Sequence, residues 1–146
     1  MATPDTIPSA AQAALNRFYE AEMAYLAAGG PAGGASFDGM AATLHPDVVM
    51  HQAAGLPYGG EWTGHEGVER FFTAMSETWS SLEVTDTEFL TTDDTVAIVL
   101  RLRARSRATG REVDMPMVHV VRIQDDLIRD FRPFYWDTAE VAAACG

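Results

Sequence analysis

The 146-residue sequence contains no lysine; its ten basic residues are all arginine. A lysine Schiff base and a lysine nucleophile are therefore excluded. Cysteine is nearly absent too. The single thiol, Cys145, has no partner for an internal disulfide, and its place beside the C-terminus argues against catalysis. Positive charge is in deficit: 10 basic against 21 acidic residues give a net charge of −11. A nucleic acid or an anionic membrane surface would be repelled, so neither is expected as a partner. No apolar run reaches the length of a membrane span. The N-terminal Met-Ala-Thr-Pro-Asp lacks the basic and apolar regions of a signal peptide, and a cytoplasmic location is the expectation. No short Cys/His spacing occurs, so no metal is expected. No glycine-rich phosphate loop follows a strand and no nucleophile elbow is present.

What is present is an ordinary globular composition, 47% hydrophobic and 21% charged, in a length that suits one domain with one core. Residues 1–9 read as a flexible N-terminus, 10–140 as a single domain and 141–146 as a tail. Ser9 is a plausible N-cap for a helix on which Ala14, Leu15, Phe18, Tyr19, Glu22 and Tyr25 recur at helical spacing. That helix should stop at Gly29-Gly30. A second helix is expected from Phe37 to Leu44, ended by His45-Pro46. Val48–Gln52 reads as a short strand with Val48, Met50 and Gln52 on one face and Val49 and His51 on the other. Residues 53–64 read as an irregular loop whose Tyr58, Glu61 and Trp62 are candidate pocket walls. A third helix over 66–79 carries the apolar stripe Val68, Phe71, Phe72, Met75 and Trp79.

From Ser81 the pattern is all strand: Leu82–Leu90, Thr95–Arg107, then two runs flanking the polar turn Gln124-Asp125-Asp126. With Thr109-Gly110 as a tight turn, Arg107 should face Glu112 and Arg105 Asp114 on the outer side. On the inner side, Leu102 should face Met117 and Leu100 His119. The inner row Val113, Met115, Met117, His119, Val121, Ile123 is apolar but for one imidazole. An ionisable group in such a row is what a pocket needs; it is equally what a hydrogen-bonded core histidine looks like. The last run ends in Phe131-Arg132-Pro133-Phe134-Tyr135-Trp136-Asp137. There, alternation places Phe131, Tyr135 and Asp137 together, unless Asp137 only caps a following helix. Helices followed by a meander of strands give an α+β fold. We expect a cone-shaped, curved antiparallel or mixed sheet, with about three helices packed on one face, enclosing a pocket.

That order, together with Arg17-Phe18-Tyr19-Glu20-Ala21, Leu44-His45-Pro46-Asp47-Val48-Val49, the stretch Leu56–Gly67 and Arg132–Thr138, resembles the SnoaL-like and ketosteroid isomerase-like proteins of the nuclear transport factor 2-like superfamily. The resemblance covers nearly the whole chain, apart from an insertion near 22–36. In ketosteroid isomerases a general-base Asp follows the short strand; Gln52 stands there and cannot take a proton from carbon. Their oxyanion tyrosine falls on Phe18, with Tyr19 adjacent, and their protonated oxyanion acid on His119. Steroid isomerisation by that mechanism is therefore not expected.

The SnoaL-like cyclases work on enolisable polyketides with a carboxylate and a histidine, without metal. The resemblance thus implies His119 and Asp137 as catalytic residues and no cofactor. Substrate contacts are expected from Gln52, Phe18, Tyr19, Tyr58, Trp62, Phe72, Met117, Phe131 and Tyr135. An epoxide-opening relative would need two acids, for which Glu61 and Asp137 are the candidates. Two functions stay open: a cofactor-independent cyclase, isomerase or dehydratase acting on a small apolar carbonyl-bearing metabolite, and a protein that binds such a molecule without turnover. If His119 and Asp137 meet across the cavity, acid/base chemistry is favoured; if they face different environments, binding is. A homodimer through the outer sheet face is expected, because Val99, Val118 and Val120 lie among its arginines.

Overall fold

The computed structural model describes residues 9–146. The expectation of a flexible segment over 1–8 lies outside the described residues, and Ser9 belongs to the first helix as its cap. Its hydroxyl accepts from the Gln12 backbone at 3.1 Å. Helix α1 runs Ala10–Ala27. It stops where Gly29 and Gly30 take left-handed backbone angles, φ 93° and 57°, and Gly30 N–H closes on the Tyr25 carbonyl.

Helix α2 is only Asp38–Ala41, shorter than the expected Phe37–Leu44. The chain leaves helical geometry because the Thr43 carbonyl accepts from Ile128 N–H, which draws Leu44 into a sheet. Strand β1 is therefore Leu44–Gln52, irregular between Leu44 and Val49 where Pro46 has no N–H to give. The expected loop contains a short strand, β2 (Gly60–Thr63), antiparallel to β1. Helix α3 (Gly64–Thr78) buries Val68, Phe71, Phe72 and Met75 as its stripe requires. Strands β3 (Trp79–Thr91), β4 (Thr95–Ser106), β5 (Glu112–Gln124) and β6 (Leu127–Tyr135) form the meander. Asp125 and Asp126, both with φ near 60°, make the two-residue turn between β5 and β6.

The sheet is six-stranded in the order β2-β1-β6-β5-β4-β3. Only the β1–β6 pair is parallel, so the sheet is mixed. It is curved and unclosed, and four helices accompany it. Helices α1 and α3 lie over its inner face, sealing the core around Leu15, Phe18, Phe72, Ile98 and Ile128.

Two further sequence expectations shift. The β4–β5 register is Arg105 with Glu112, Leu102 with Met115, Leu100 with Met117 and Ile98 with His119, two residues away from the tight-turn register. Arg107 leaves the ladder because its N–H donates to the Thr78 carbonyl and its guanidinium to the Ser76 and Trp79 carbonyls. The turn then needs Gly110 at φ 75° to close. A slip of two keeps every side chain on its expected face, so the inner and outer rows survive. The second shift concerns 141–146, which is no loose tail. Helix α4 (Thr138–Cys145) buries Val141 and Ala144, and its last carbonyls take donors from Thr109 and Arg111.

Candidate functional site

Between α1, α3 and the concave sheet lies a cavity of about 680 Å³, within the range of small-molecule sites. Its wall is mainly aromatic and aliphatic, and no arginine lines it. The mouth opens between α1 and β3, where Met23 and Val84 are exposed beside Glu20 and Glu83. Strand β3 breaks register between Thr85 and Glu88, where Asp86 has φ 55°. That bulge bends the strand at the rim.

His119 projects from β5 into this space, with its ring 5.0 Å from that of Phe131. Its Nδ1 lies 2.7 Å from the Tyr19 hydroxyl, supplied by α1. Tyr19 donates to Nδ1 in the tautomer that carries the ring proton on Nε2. Burial lowers the His119 pKa to about 4. Burial, and then the charge of Glu22, push Tyr19 well above its ordinary range. Both groups are therefore neutral at pH 7, and in that tautomer the imidazole offers the cavity an N–H rather than a positive charge.

Glu22 sits one turn beyond Tyr19 on the same helix face and lines the same cavity. It has no hydrogen-bond or ion-pair partner among the described residues. Burial pushes its pKa up to about 7. A carboxyl group with that value, in a wall without cations, is half ionised near neutrality and suits proton transfer. This is the candidate that reading the sequence for function passed over, although the helical spacing had already placed Glu22 on the buried stripe.

A second polar group stands further along the wall. Tyr135 on β6 lines the cavity, and its hydroxyl is 2.6 Å from that of Tyr58. Tyr58 is buried and also accepts from Trp79 Nε1 at 3.1 Å. Burial raises the pKa of both tyrosines. Gln52 is 6% exposed and faces the same space from β1, with Oε1 unbonded.

Of the expected site residues, the structure brings together His119, Gln52, Phe18, Tyr19, Phe72, Met117, Phe131 and Tyr135 around one cavity. It does not bring Asp137 there. Strand β6 ends at Tyr135, so alternation no longer applies two residues later; Asp137 is exposed and caps α4, accepting from Glu140 N–H at 3.1 Å. Tyr58 stands behind Tyr135 rather than in the wall. Trp62 packs edge-on to Phe71 and is likewise outside the lining. Glu61 is exposed on the far side of the sheet, where it holds His51 Nδ1 at 2.9 Å while Asp130 holds Nε2 at 2.8 Å. The pairing of Glu61 with Asp137 in a pocket is thereby ruled out.

The family profile of the SnoaL-like domain matches residues 15–131. Among curated proteins none matches the chain. Among solved structures, an NTF2-like protein of unknown function from Burkholderia pseudomallei is similar, with a TM-score of 0.78 at 23% identity over 94% of this chain and 98% of its own. TerC co-crystallised with polyporic acid follows at TM-score 0.69 and 20% identity, over 88% of this chain and 98% of its own. A protein from Jannaschia sp., provisionally assigned as a SnoaL-like polyketide cyclase, gives TM-score 0.69 at 20% identity over 89% and 92%.

Proposed function

The chain belongs to the SnoaL-like domain family, and from that premise and the cavity we propose that it is a cofactor-independent acid/base enzyme acting on an apolar, carbonyl-bearing metabolite. The observation that carries the proposal is the Tyr19–His119 hydrogen bond inside an apolar cavity that also holds Glu22. His119 Nε2–H donates to the substrate carbonyl and stabilises the negative charge that develops on its oxygen. The Glu22 carboxylate takes the proton from the carbon beside that carbonyl. Returning the proton to another atom gives isomerisation; attack of the enolate on a second carbonyl gives cyclisation. His119 thus acts as a hydrogen-bond donor, since an imidazole with a pKa of about 4 is a poor base at neutral pH. The likeness in fold to proteins assigned as a polyketide cyclase or crystallised with polyporic acid supports this substrate class.

The test is proton exchange at the carbon beside the carbonyl of 2-tetralone in D₂O, followed by NMR against the uncatalysed rate. Wild-type protein should accelerate exchange. Glu22→Gln should lose about 100-fold or more, the usual weight of a general base. His119→Gln should lose a comparable factor while still binding the ketone. Exchange by Glu22→Gln at the wild-type rate would refute the assignment of the base. The second reading, binding without turnover, is favoured by one observation: Asp137 does not face His119. Wild-type protein that binds 2-tetralone and leaves its exchange rate unchanged would establish that reading instead.

A further inference from the structure

A second hollow, of about 440 Å³, lies where the ends of α1 and α3 meet the start of β3. Leu26, Met75 and Leu82 line both this space and the main cavity. The two spaces differ in charge. The main cavity carries Glu20, Glu22 and Glu83 and no cation; the second hollow carries Arg107 and no carboxyl group. Its volume is within the range of small-molecule sites.

Arg107 comes to this place through the register of the β4–β5 hairpin. In the tight-turn register it would face Glu112, but Glu112 pairs with Arg105 in the ladder and holds both Arg103 and Arg105. Arg101 and Arg132 have carboxylates of their own. Arg107 has none among the described residues. Its guanidinium is anchored instead at the C-terminal end of α3. Nε–H and Nη2–H donate to the Ser76 carbonyl at 3.3 and 3.0 Å, and Nη2–H also donates to the Trp79 carbonyl at 3.0 Å. Closing a helix in this way is a sufficient structural role for an arginine. It uses three of the five N–H groups, and the two on Nη1 meet no acceptor among the described residues. The same bonds fix the plane of the guanidinium, so little side-chain freedom is left to lose on binding.

The rest of the lining is mainly apolar. Met75 and Trp79 are buried and Leu26 and Leu82 half-buried, while Ser80 and Ser81 are exposed at the edge. One fixed cation against an apolar wall suits a ligand with one negative charge and a short hydrocarbon body. An amine would meet only repulsion from Arg107.

We propose that this second hollow binds a small apolar carboxylate, with its acid group on Arg107 Nη1 and its hydrocarbon against Leu26, Met75 and Leu82. The site does not rest on the acid/base reading of the main cavity. Arg107 is exposed, so its charge is partly screened by solvent and dissociation constants in the millimolar range are expected.

¹⁹F NMR of 4-fluorobenzoate, with 4-fluorobenzamide as its uncharged counterpart, tests the assignment on the full chain. The Arg107 Nε–H resonance of ¹⁵N-labelled protein locates the site. Wild-type protein should bind the benzoate about tenfold tighter than the benzamide, the scale of one charge-assisted hydrogen bond. The Arg107 resonance should shift along the same saturation curve. Arg107→Gln should remove the preference. Ser81→Asp leaves Arg107 in place and puts a carboxylate into the lining; it should remove the preference too, and it keeps the test open if the first variant fails to fold. Benzoate bound no tighter than benzamide, an Arg107 resonance that does not move, or a preference undiminished in Ser81→Asp overturns the proposal. Enolisation plays no part in these measurements. A benzoate preference without exchange of 2-tetralone sinks only the acid/base reading, and exchange without a benzoate preference sinks only the second site.

Discussion

Burial moves His119 and Glu22 in opposite directions, because it penalises the charged form of each and their charged forms lie on opposite sides of their titrations. The consequence for stability can be signed. Glu22 has a folded pKa of about 7 against an ordinary 4.5, so the stability it contributes is complete below 4.5 and is lost as pH rises through 7. His119 has a folded pKa of about 4 against 6.5, so its contribution is present above 6.5 and is lost as pH falls through 4. Between pH 4.5 and 6.5 the two trends oppose each other. Removing either group should expose the other. Relative to wild type, Glu22→Gln should make the urea midpoint rise more steeply with pH across that window, and His119→Gln should make it fall. Variants that parallel the wild-type profile would show that neither group is buried as described. The two residues also differ in how legible they were. His119 announced itself as the single polar member of a period-two row. Glu22 lay on the expected helix face, but a carboxylate at helical spacing reads equally as a solvated edge, and only the sheet folded beneath α1 distinguishes the cases. Asp137 misled because its position was extrapolated along a strand that had already ended.

Among the elements, those with long periodic patterns were readable: α3 from its stripe, and β4 and β5 from alternation on two faces. The ones that were missed or misjudged are short. Strand β2 has four residues in a glycine-rich stretch and exists because β1 offers it an edge. Helix α4, expected over 138–145 as at most one or two loose turns, is there with eight residues but is not loose, being held by Asp137 at its start and by Thr109 and Arg111 at its end. No local pattern reports such tertiary support. The sheet's outer face is the element with an unpaired surface. Val99 pairs with Val118 and Val118 with Phe134, giving an apolar row across three strands beside the Arg101–Asp114 and Arg103–Glu112 pairs. Phe134 is 56% exposed, more than a bulky aromatic on a sheet face gains by staying in water. We propose that a second copy of the chain covers this row. Light scattering at micromolar concentration should give the mass of two chains, and Phe134→Asp should give one with unchanged circular dichroism. A wild-type monomer would contradict the proposal.

Taken as a whole, the molecule segregates its charge. Its arginine–carboxylate pairs lie on the outer sheet face, while the cavity lining holds one imidazole, two phenols, the amides of Asn16 and Gln52 and the carboxyls of Glu20, Glu22 and Glu83, without any cation. No helix is long and apolar enough to cross a membrane. The wall thus sets a neutral histidine and an ionisable glutamate around one cavity. NMR titration of the ligand-free protein tests it directly, following the ¹⁵N shifts of the His119 ring and the side-chain carboxyl ¹³C shift of Glu22. The expected result is a His119 ring protonated on Nε2 only and constant from pH 8 down to about 5, with a midpoint near 4, and a Glu22 midpoint near 7. A His119 that titrates near 6.5 together with a Glu22 that titrates near 4.5, the ordinary values of the two groups, would contradict it.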